Sequence, residues 1–158
     1  MSEPCTIVRL HRQDAAAAAS IDTQVFAEAW NETMLRGEID HPAARCYGAI
    51  VPPDGMLAGY VCVMVAADEC CVHRVATRPT LRRRGIAGRL LQHALATARA
   101  EGCMQATLEV SSANAPARAL YERLGFRVAG MRAGYYRREG SDALIMRTSL
   151  AGQEFDRQ

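Results

Sequence analysis

The chain has 158 residues, of which 49% are hydrophobic and 23% are charged, and its formal net charge is +2 at pH 7. This length and composition are sufficient for one domain with a single hydrophobic core. The small net charge argues against general binding to nucleic acid or membranes, and no stretch of the sequence is apolar enough to span a bilayer. We therefore expect one domain over residues 1–150, a short tail at 151–158, and neither nucleic acid nor membrane as a direct partner.

The six cysteines follow neither a secreted nor a zinc-binding pattern. Cys70, Cys71 and His73 lie close together, but a structural zinc site needs further paired ligands and the other cysteines are isolated. The N-terminus lacks the charged segment followed by an apolar one that marks a secretory signal. We predict core-packing cysteines, no bound metal ion and a reduced, cytoplasmic protein.

The first part of the chain combines strand and helix signals. Alternating or β-branched segments predict three strands, at Thr6–Leu10, Arg45–Val51 and Met56–Val65. Asp14 and Asn31 are typical helix N-caps, which predicts one helix through the alanine run to Phe26 and a second helix after Asn31. The Pro-Pro-Asp-Gly composition of residues 52–55 predicts a hairpin between the second and third strands.

The later part alternates between strands and helices. Helices are predicted from the arginine-rich turn to about Ala100 and from Ala115 to Leu124. Strands are predicted at Cys70–Thr77, Ala106–Val110, Phe126–Met131 and Ala143–Leu150. The resulting order, β-α-α-β-β-β-α-β-α-β-β, indicates an α/β (α+β) fold with a mixed, mostly antiparallel central sheet and helices on both faces.

A basic turn lies between a predicted strand and an amphipathic helix. It comprises Arg82, Arg83, Arg84, Gly85, Ile86, Ala87 and Gly88. The small residues allow close approach of a ligand to the backbone, and the first N–H groups of the helix have no intrahelical partner. A pyrophosphate suits such a turn, although a solvated basic turn before an ordinary helix is the alternative. A P-loop is excluded, because Arg89-Leu90 stands where that motif requires Lys-Ser/Thr.

The pattern Arg/Gln-x-x-Gly-x-Gly/Ala of this turn resembles the acetyl-CoA pyrophosphate loop of the GNAT N-acetyltransferases. Leu108-Glu109-Val110, Asn114 and Ala119-Leu120-Tyr121 follow it in the order typical of the RimI family. That family acetylates the N-terminal alanine of a small-subunit ribosomal protein. The resemblance covers residues 72–150, about half of the chain.

The resemblance implies the GNAT acyl-CoA N-acyltransferase fold, with the fourth and fifth strands splayed apart at the cofactor. Acetyl-CoA is then the co-substrate, and the acceptor is the N-terminus of a protein or peptide that attacks directly in a ternary complex. A small-subunit ribosomal protein is one candidate acceptor. We expect a monomer or a weak dimer.

Two residues inherit catalytic roles from this resemblance. Strand alternation points the carboxylate of Glu109 to the face opposite Leu108 and Val110. In the family this glutamate is the proposed general base, while a salt-bridged sheet glutamate is the alternative from the pattern alone. Tyr121 corresponds to the acid that protonates the departing thiolate, but it also falls in a helical apolar stripe typical of a core aromatic residue.

Other residues inherit binding roles. Asn114 precedes Ala115-Pro116, which is typical of a helix N-cap, and the resemblance implies that it also contacts the pantetheine arm. The resemblance further implies that main-chain groups of Val75, Ala76 and Thr77 pair with the pantetheine amides. The candidate acceptor-binding residues are Trp30, Tyr135 and Tyr136. A partly packed hairpin is an equally good reading of the two tyrosines.

The chain departs from the family pattern at the acceptor side, with Ala29 before the tryptophan and Arg137-Arg138-Glu139 after Tyr136. It also has Arg82 where glutamine is common, which is a conservative change. Two other functions therefore stay open at this point. One is a GNAT enzyme for a small amine, an aminoacyl group or a lysine side chain. The other is a catalytically silent CoA-binding module.

Overall fold

A seven-stranded sheet in the order β1-β2-β3-β4-β5-β7-β6 organises the fold. The structure is a computed structural model and describes residues 4–136 and 140–152. The elements are β1 Thr6–Arg9, α1 Ala15–Val25, α2 Glu32–Asp40, β2 Ala44–Val51, β3 Met56–Ala66, β4 Glu69–Thr77, α3 Ile86–Ala100, β5 Gln105–Ser111, α4 Ala115–Arg123, β6 Arg127–Tyr136 and β7 Ser141–Ser149. Their order agrees with the predicted order element for element.

Every neighbouring pair of strands in this sheet is antiparallel except β4 and β5, which are parallel. The exception follows from connectivity, because α3 crosses over between β4 and β5. α1 and α2 pack on one face of the sheet, and α3 and α4 pack on the other. The mixed, mostly antiparallel sheet with helices on both faces is therefore as predicted.

The apolar face of α3 attaches it to the sheet. Leu90, Leu91 and Leu95 are all fully buried, and they join the cluster that contains Val61 and Val63 of β3. Complete burial of one such leucine is worth about 1.5–3 kcal/mol relative to leaving it in water. This packing fixes the start of α3, and with it the basic turn, against the centre of the sheet.

The two predicted N-caps differ in outcome. Asn31 caps α2 as predicted, since its Oδ1 accepts a hydrogen bond of 2.8 Å from the N–H of Met34. Asp14 does precede α1, but its side chain makes no cap hydrogen bond to that helix, so this part of the prediction is wrong. Residues 12–14 form a 3-10 turn, and the Asp14 carboxylate accepts from the N–H of His11 at 2.8 Å instead.

β6 is longer than predicted. It continues to Tyr136, whose backbone pairs with Ser141, and the pairing with β7 is irregular between Arg132 and Tyr136. The predicted tail at 151–158 falls outside the described residues except for residues 151 and 152, as does the segment 137–139. Among the described residues, no helix has the length and apolarity required to cross a membrane.

Candidate functional site

β4 and β5 pair over only part of their length. The parallel register runs from Glu69 opposite Gln105 to Val72 opposite Leu108, yet both strands continue beyond this point. One extra residue of β4, His73, interrupts the β3 pairing at the same place, since Cys62 lies opposite Arg74 and Val63 opposite Val72. A bulge bends a strand and increases its twist. The two strands therefore part at the bulge and leave a gap in the middle of the sheet.

The end of β4 forms one side of this gap. Val75, Ala76 and Thr77 pair with β3, and no strand of the described chain pairs with their edge that faces β5. The hydroxyl of Thr77 is buried without a hydrogen-bond partner. A Cβ added to Gly59 would lie 2.7 Å from the Ala76 carbonyl oxygen, so this glycine allows the end of β4 to approach β3 closely. Backbone groups at this edge are thus available to an amide-containing ligand.

The basic turn presents backbone N–H groups at the start of α3. Arg83 has a φ of +64° and the N-cap Gly85 a φ of +79°, and the turn residues 82–85 are exposed. A left-handed conformation is easily accessible to glycine. Gly85 offers no side chain to the first turn, while buried Ile86 anchors that turn to the core. The arrangement fits an anion such as a pyrophosphate, because the exposed N–H groups, the helix dipole and the arginines all favour negative charge.

Glu109 lies on β5 just past the point where β4 leaves it. Leu108 and Val110 are only 2% and 6% exposed, whereas Glu109 faces the other side of the sheet and is exposed. Its Oε1 forms an ion pair of 3.3 Å with Nη2 of Arg132, which reaches across β7 from β6. The guanidinium carbon of Arg132 is also 5.6 Å from the ring centroid of Tyr135. The salt-bridged glutamate expected as an alternative is thus present, and it faces solvent beside the gap.

Sequence reasoning missed Arg132. Its proximity to Glu109 depends on β7 lying between β5 and β6 and on the register of both pairings. Prediction of this contact would have required the full extent of β6 and its register with the neighbouring strands. In that register Gly130 of β6 lies opposite Ile145 of β7, and Ile145 lies opposite Glu109 of β5.

Tyr121 lies on the opposite side of β5 from Glu109. It is 7% exposed and belongs to the cluster that contains Leu108 and Val110. Its ring packs edge-on against Phe126 at a centroid distance of 6.0 Å. The predicted core position is confirmed, and the role as an acid stays a prediction.

Asn114 caps α4, as its sequence context predicts. Its Oδ1 accepts a hydrogen bond of 3.2 Å from the N–H of Ala117, and Pro116 lies in the first turn. The cap fixes the start of α4 directly after β5, next to the gap. The predicted contact with pantetheine stays a prediction.

Trp30 belongs to a separate cluster, built around a buried ion pair. Asp22 is fully buried and binds Arg74 through two hydrogen bonds, of 3.1 Å from Nε and 2.6 Å from Nη2. The Arg74 guanidinium lies over the rings of Phe26 and Trp30, at 3.7 Å and 4.6 Å from their centroids. The backbone N–H of Trp30 also donates to Asp22 at 2.5 Å. No local sequence pattern indicates this pair, which holds the segment after α1 against β4.

Tyr60 completes that cluster, since its hydroxyl donates to Asp22. Burial, reinforced by this hydrogen bond, raises the pKa of the Tyr60 phenol far above its usual value. The phenol therefore stays a neutral donor, and each oxygen of the Asp22 carboxylate accepts two hydrogen bonds. This satisfies the condition under which a buried charge pair is tolerated.

The two predicted acceptor-site tyrosines lie at the end of β6. Tyr135 is 52% exposed, and the side chain of Tyr136 lies outside the described part of the structure. Nearby, the N–H of Gly134 donates to Oδ1 of Asp142 at 2.7 Å, which ties β6 to β7. The structure thus brings Tyr135 into contact with Arg132 and, through it, with Glu109, whereas Trp30 is held by Arg74.

His73, which lies close to Cys70 and Cys71 in the sequence, has Glu38 as a partner. His73 Nδ1 lies 2.7 Å from Oε1 of Glu38, and the hydrogen bonds with Cys71 and then Glu38 raise the pKa of His73 to about 10. Cys70 is buried in the core. Within residues 4–136 and 140–152, no three His, Cys, Asp or Glu side chains are grouped closely enough to hold a metal ion.

Comparison with known proteins supplies independent information. The family model described as "Acetyltransferase (GNAT) family" matches residues 15–126. A Salmonella typhimurium protein named [ribosomal protein bS18]-alanine N-acetyltransferase is 33% identical over 143 residues, covering 89% of this chain and 95% of that protein. A Mycobacterium tuberculosis protein named N-alpha-acetyltransferase RimI is 36% identical over 152 residues, covering 92% and 93%.

Among solved structures, the ribosomal-protein-alanine N-acetyltransferase from Escherichia coli superposes with a TM-score of 0.86. It is 29% identical in sequence, and the match covers 98% of this chain and 99% of that one. The similarity therefore extends over both the basic turn and the segment that contains Trp30.

Proposed function

The chain belongs to the GNAT family of acetyltransferases, and on this premise we propose that it acetylates the N-terminal α-amine of a protein that begins with alanine. It is an N-acetyltransferase whose acetyl donor is acetyl-CoA. The observation that carries the acceptor assignment is the position of Glu109, a solvent-facing carboxylate beside the gap between β4 and β5. Relatives named for ribosomal protein bS18 make that protein the first target to test, and a ribosomal target implies a cytoplasmic reaction.

In this proposal Glu109 accepts a proton from the acceptor's ammonium group. Only the neutral amine is nucleophilic, and acetyl-CoA supplies a thioester carbonyl that such an amine attacks directly. An N-terminal α-amine has a pKa of about 7.7–8.0, against about 10.4 for a lysine side chain, so it loses its proton more easily. One exposed carboxylate with access to solvent is therefore sufficient to remove the proton from an N-terminal amine.

Tyr121 has the complementary role of proton donor on the other side of β5. A phenol is protonated at neutral pH and can donate as negative charge develops on the departing sulfur. Its packing against Phe126 fixes the ring. In this arrangement, Glu109 removes a proton from the acceptor amine on one face of β5. Tyr121 donates a proton to the leaving thiolate on the other face, and the reacting carbonyl lies between them.

The remaining residues hold the donor. The N–H groups that begin α3 bind the pyrophosphate, and the arginine side chains of the turn, Arg82, Arg83 and Arg84, bind the phosphates of the nucleotide. The free edge of Val75, Ala76 and Thr77, together with Asn114, binds the pantetheine arm. We assign these roles to one domain over residues 1–150.

The test compares initial rates of acetylation with acetyl-CoA on short peptides that begin with alanine, with free and with blocked N-termini, and on polyamines. We expect turnover of the free peptide and none of the blocked one. Turnover of polyamines alone would assign the chain to small-amine acetylation. CoA binding without turnover of any amine would identify a binding module.

A further inference from the structure

The segment between α1 and α2, residues 26–31, is attached to β4 through one arginine. The segment has no helix or strand of its own and contains Trp30, the predicted acceptor-binding residue. The Arg74 guanidinium lies over the rings of Phe26 and Trp30. Its Nη2 also donates to the carbonyl oxygen of Glu28 at 3.1 Å. Connecting segments are as a rule more mobile than the elements they join, so these contacts determine where the Trp30 ring lies.

The guanidinium is itself held in one orientation. Asp22 is fully buried, and it accepts two hydrogen bonds from the fork of Arg74, whose side chain is only 16% exposed. Removal of either partner would leave a buried charge without compensation, which is strongly destabilising. A lysine at this position would supply the charge, but neither the fork nor the flat surface that packs on two rings. The arrangement therefore requires arginine.

Arg74 lies on the strand and on the sheet face that matter for the acceptor. It directly precedes Val75, at the start of the β4 edge that faces the gap. Its opposite residue on β3, Cys62, packs with α1 and α2. Glu109 points to this same face, since its neighbours in β5 pack with α3 and α4 on the other face. The Trp30 segment and the Glu109 carboxylate thus share one face of the sheet, and β4 and β5 border the gap.

We propose that Arg74 is a positioning residue for acceptor binding, which holds Trp30 on the face of the sheet where the peptide reaches Glu109. The inference rests on the proposed N-terminal acetylation and on the role of Trp30 in binding the acceptor. The guanidinium takes no part in the chemistry, because Asp22 neutralises it. Loss of its contacts should weaken peptide binding and leave the binding of acetyl-CoA unchanged.

Arg74→Lys tests this role while a positive charge is retained opposite Asp22. We expect the KM of a peptide that begins with alanine to rise about tenfold, the order of a cation–ring contact that is largely withdrawn from water. The KM of acetyl-CoA should stay unchanged, and kcat should change less than the peptide KM. An unchanged peptide KM, or an equal rise in both KM values, would overturn the positioning role and leave N-terminal acetylation intact.

A paired substitution, Asp22→Asn with Arg74→Met, provides the same test if the lysine variant does not fold. It removes both charges together, so no buried charge is left unpaired, and residue 22 keeps an oxygen for the N–H of Trp30. We expect the same rise in peptide KM. Glu38→Gln is the matched control, because it removes a contact of β4 with α2 at His73, one residue before Arg74. This variant should keep the normal peptide KM.

Trp30→Ala tests whether Arg74 acts through the tryptophan. This substitution should raise the peptide KM by itself, and the addition of Arg74→Lys should then raise it little further, since both changes remove the same contact. Fully additive effects, or a normal peptide KM for Trp30→Ala, would overturn the inference. Failure of the unsubstituted protein to acetylate any peptide would overturn the proposed function and this inference together.

Discussion

The two faces of β5 differ in what holds their side chains. On the covered face, Leu108, Val110 and Tyr121 share one cluster with α3 and α4. On the opposite, exposed face of β5, Glu109 has solvent and the guanidinium of Arg132 as neighbours. Alternate residues of this one strand therefore belong to the hydrophobic core and to the candidate site. Substitutions of adjacent residues should therefore have opposite consequences.

The largest effect on activity is expected from Glu109→Gln. The amide keeps the size of the side chain but accepts no proton, and general acid–base groups contribute about 10²–10⁴-fold to a rate. We expect kcat/KM for an alanine peptide to fall by that order at neutral pH and to recover partly at higher pH. Affinity for CoA and the thermal unfolding midpoint should be close to those of the unsubstituted protein, because Glu109 is exposed. An unchanged pH–rate profile would remove Glu109 from the mechanism.

Leu108→Ala, one residue earlier, should produce the reverse pattern. Leu108 is 2% exposed on the covered face, and truncation of a buried leucine costs about 2–5 kcal/mol of unfolding free energy. Chemical denaturation measures this loss directly. A loss of stability as small as that of Glu109→Gln would contradict the contrast between the two faces.

Tyr121→Phe tests whether Tyr121, on the covered face of β5, takes part in the chemistry. Phenylalanine keeps the ring and its packing against Phe126, so the change removes only the hydroxyl. We expect the single-turnover rate of acetyl transfer to fall by about 10²-fold, within the range for a proton donor. If that rate is unchanged, Tyr121 is a packing residue alone.

The smallest effect is expected at the bulge where β4 parts from β5. The pKa of His73 is raised to about 10 by hydrogen bonds with Cys71 and Glu38, above its ordinary value of 6.5. Because the folded-state pKa is the higher one, the stabilisation is complete below about pH 6.5 and is lost as the pH rises through about 10. Glu38→Gln should flatten the stability curve over this window, which denaturation at a series of pH values measures. A curve that keeps its full slope would exclude the Glu38 contact as a cause.

Residues that follow local rules could be predicted from the sequence. Asn31 and Asn114 cap helices as expected, and the Gly85 turn begins α3. These features depend on a few adjacent residues. Asp14 does not cap α1 with its side chain, because in the 3-10 turn its carboxylate accepts a hydrogen bond from the N–H of His11 instead.

The missed features all depend on contacts between distant parts of the chain. The pair of Asp22 and Arg74 joins α1 to β4, and the pair of Glu109 and Arg132 spans three strands. Neither spacing carries a local signal, because the partners meet only after the sheet order and registers are established. Both contacts affect the acceptor side, because partly buried Trp30 packs against Arg74 and Arg132 lies next to Glu109.

The most direct test of N-terminal acetylation places both kinds of amine in one molecule. A peptide that begins with alanine and contains one internal lysine is incubated with the protein and acetyl-CoA, and fragment mass spectrometry locates the acetyl group. We expect a single acetyl group on the alanine α-amine, and slower labelling of the same position by Glu109→Gln. Label on the lysine side chain, with the α-amine left free, would contradict this expectation.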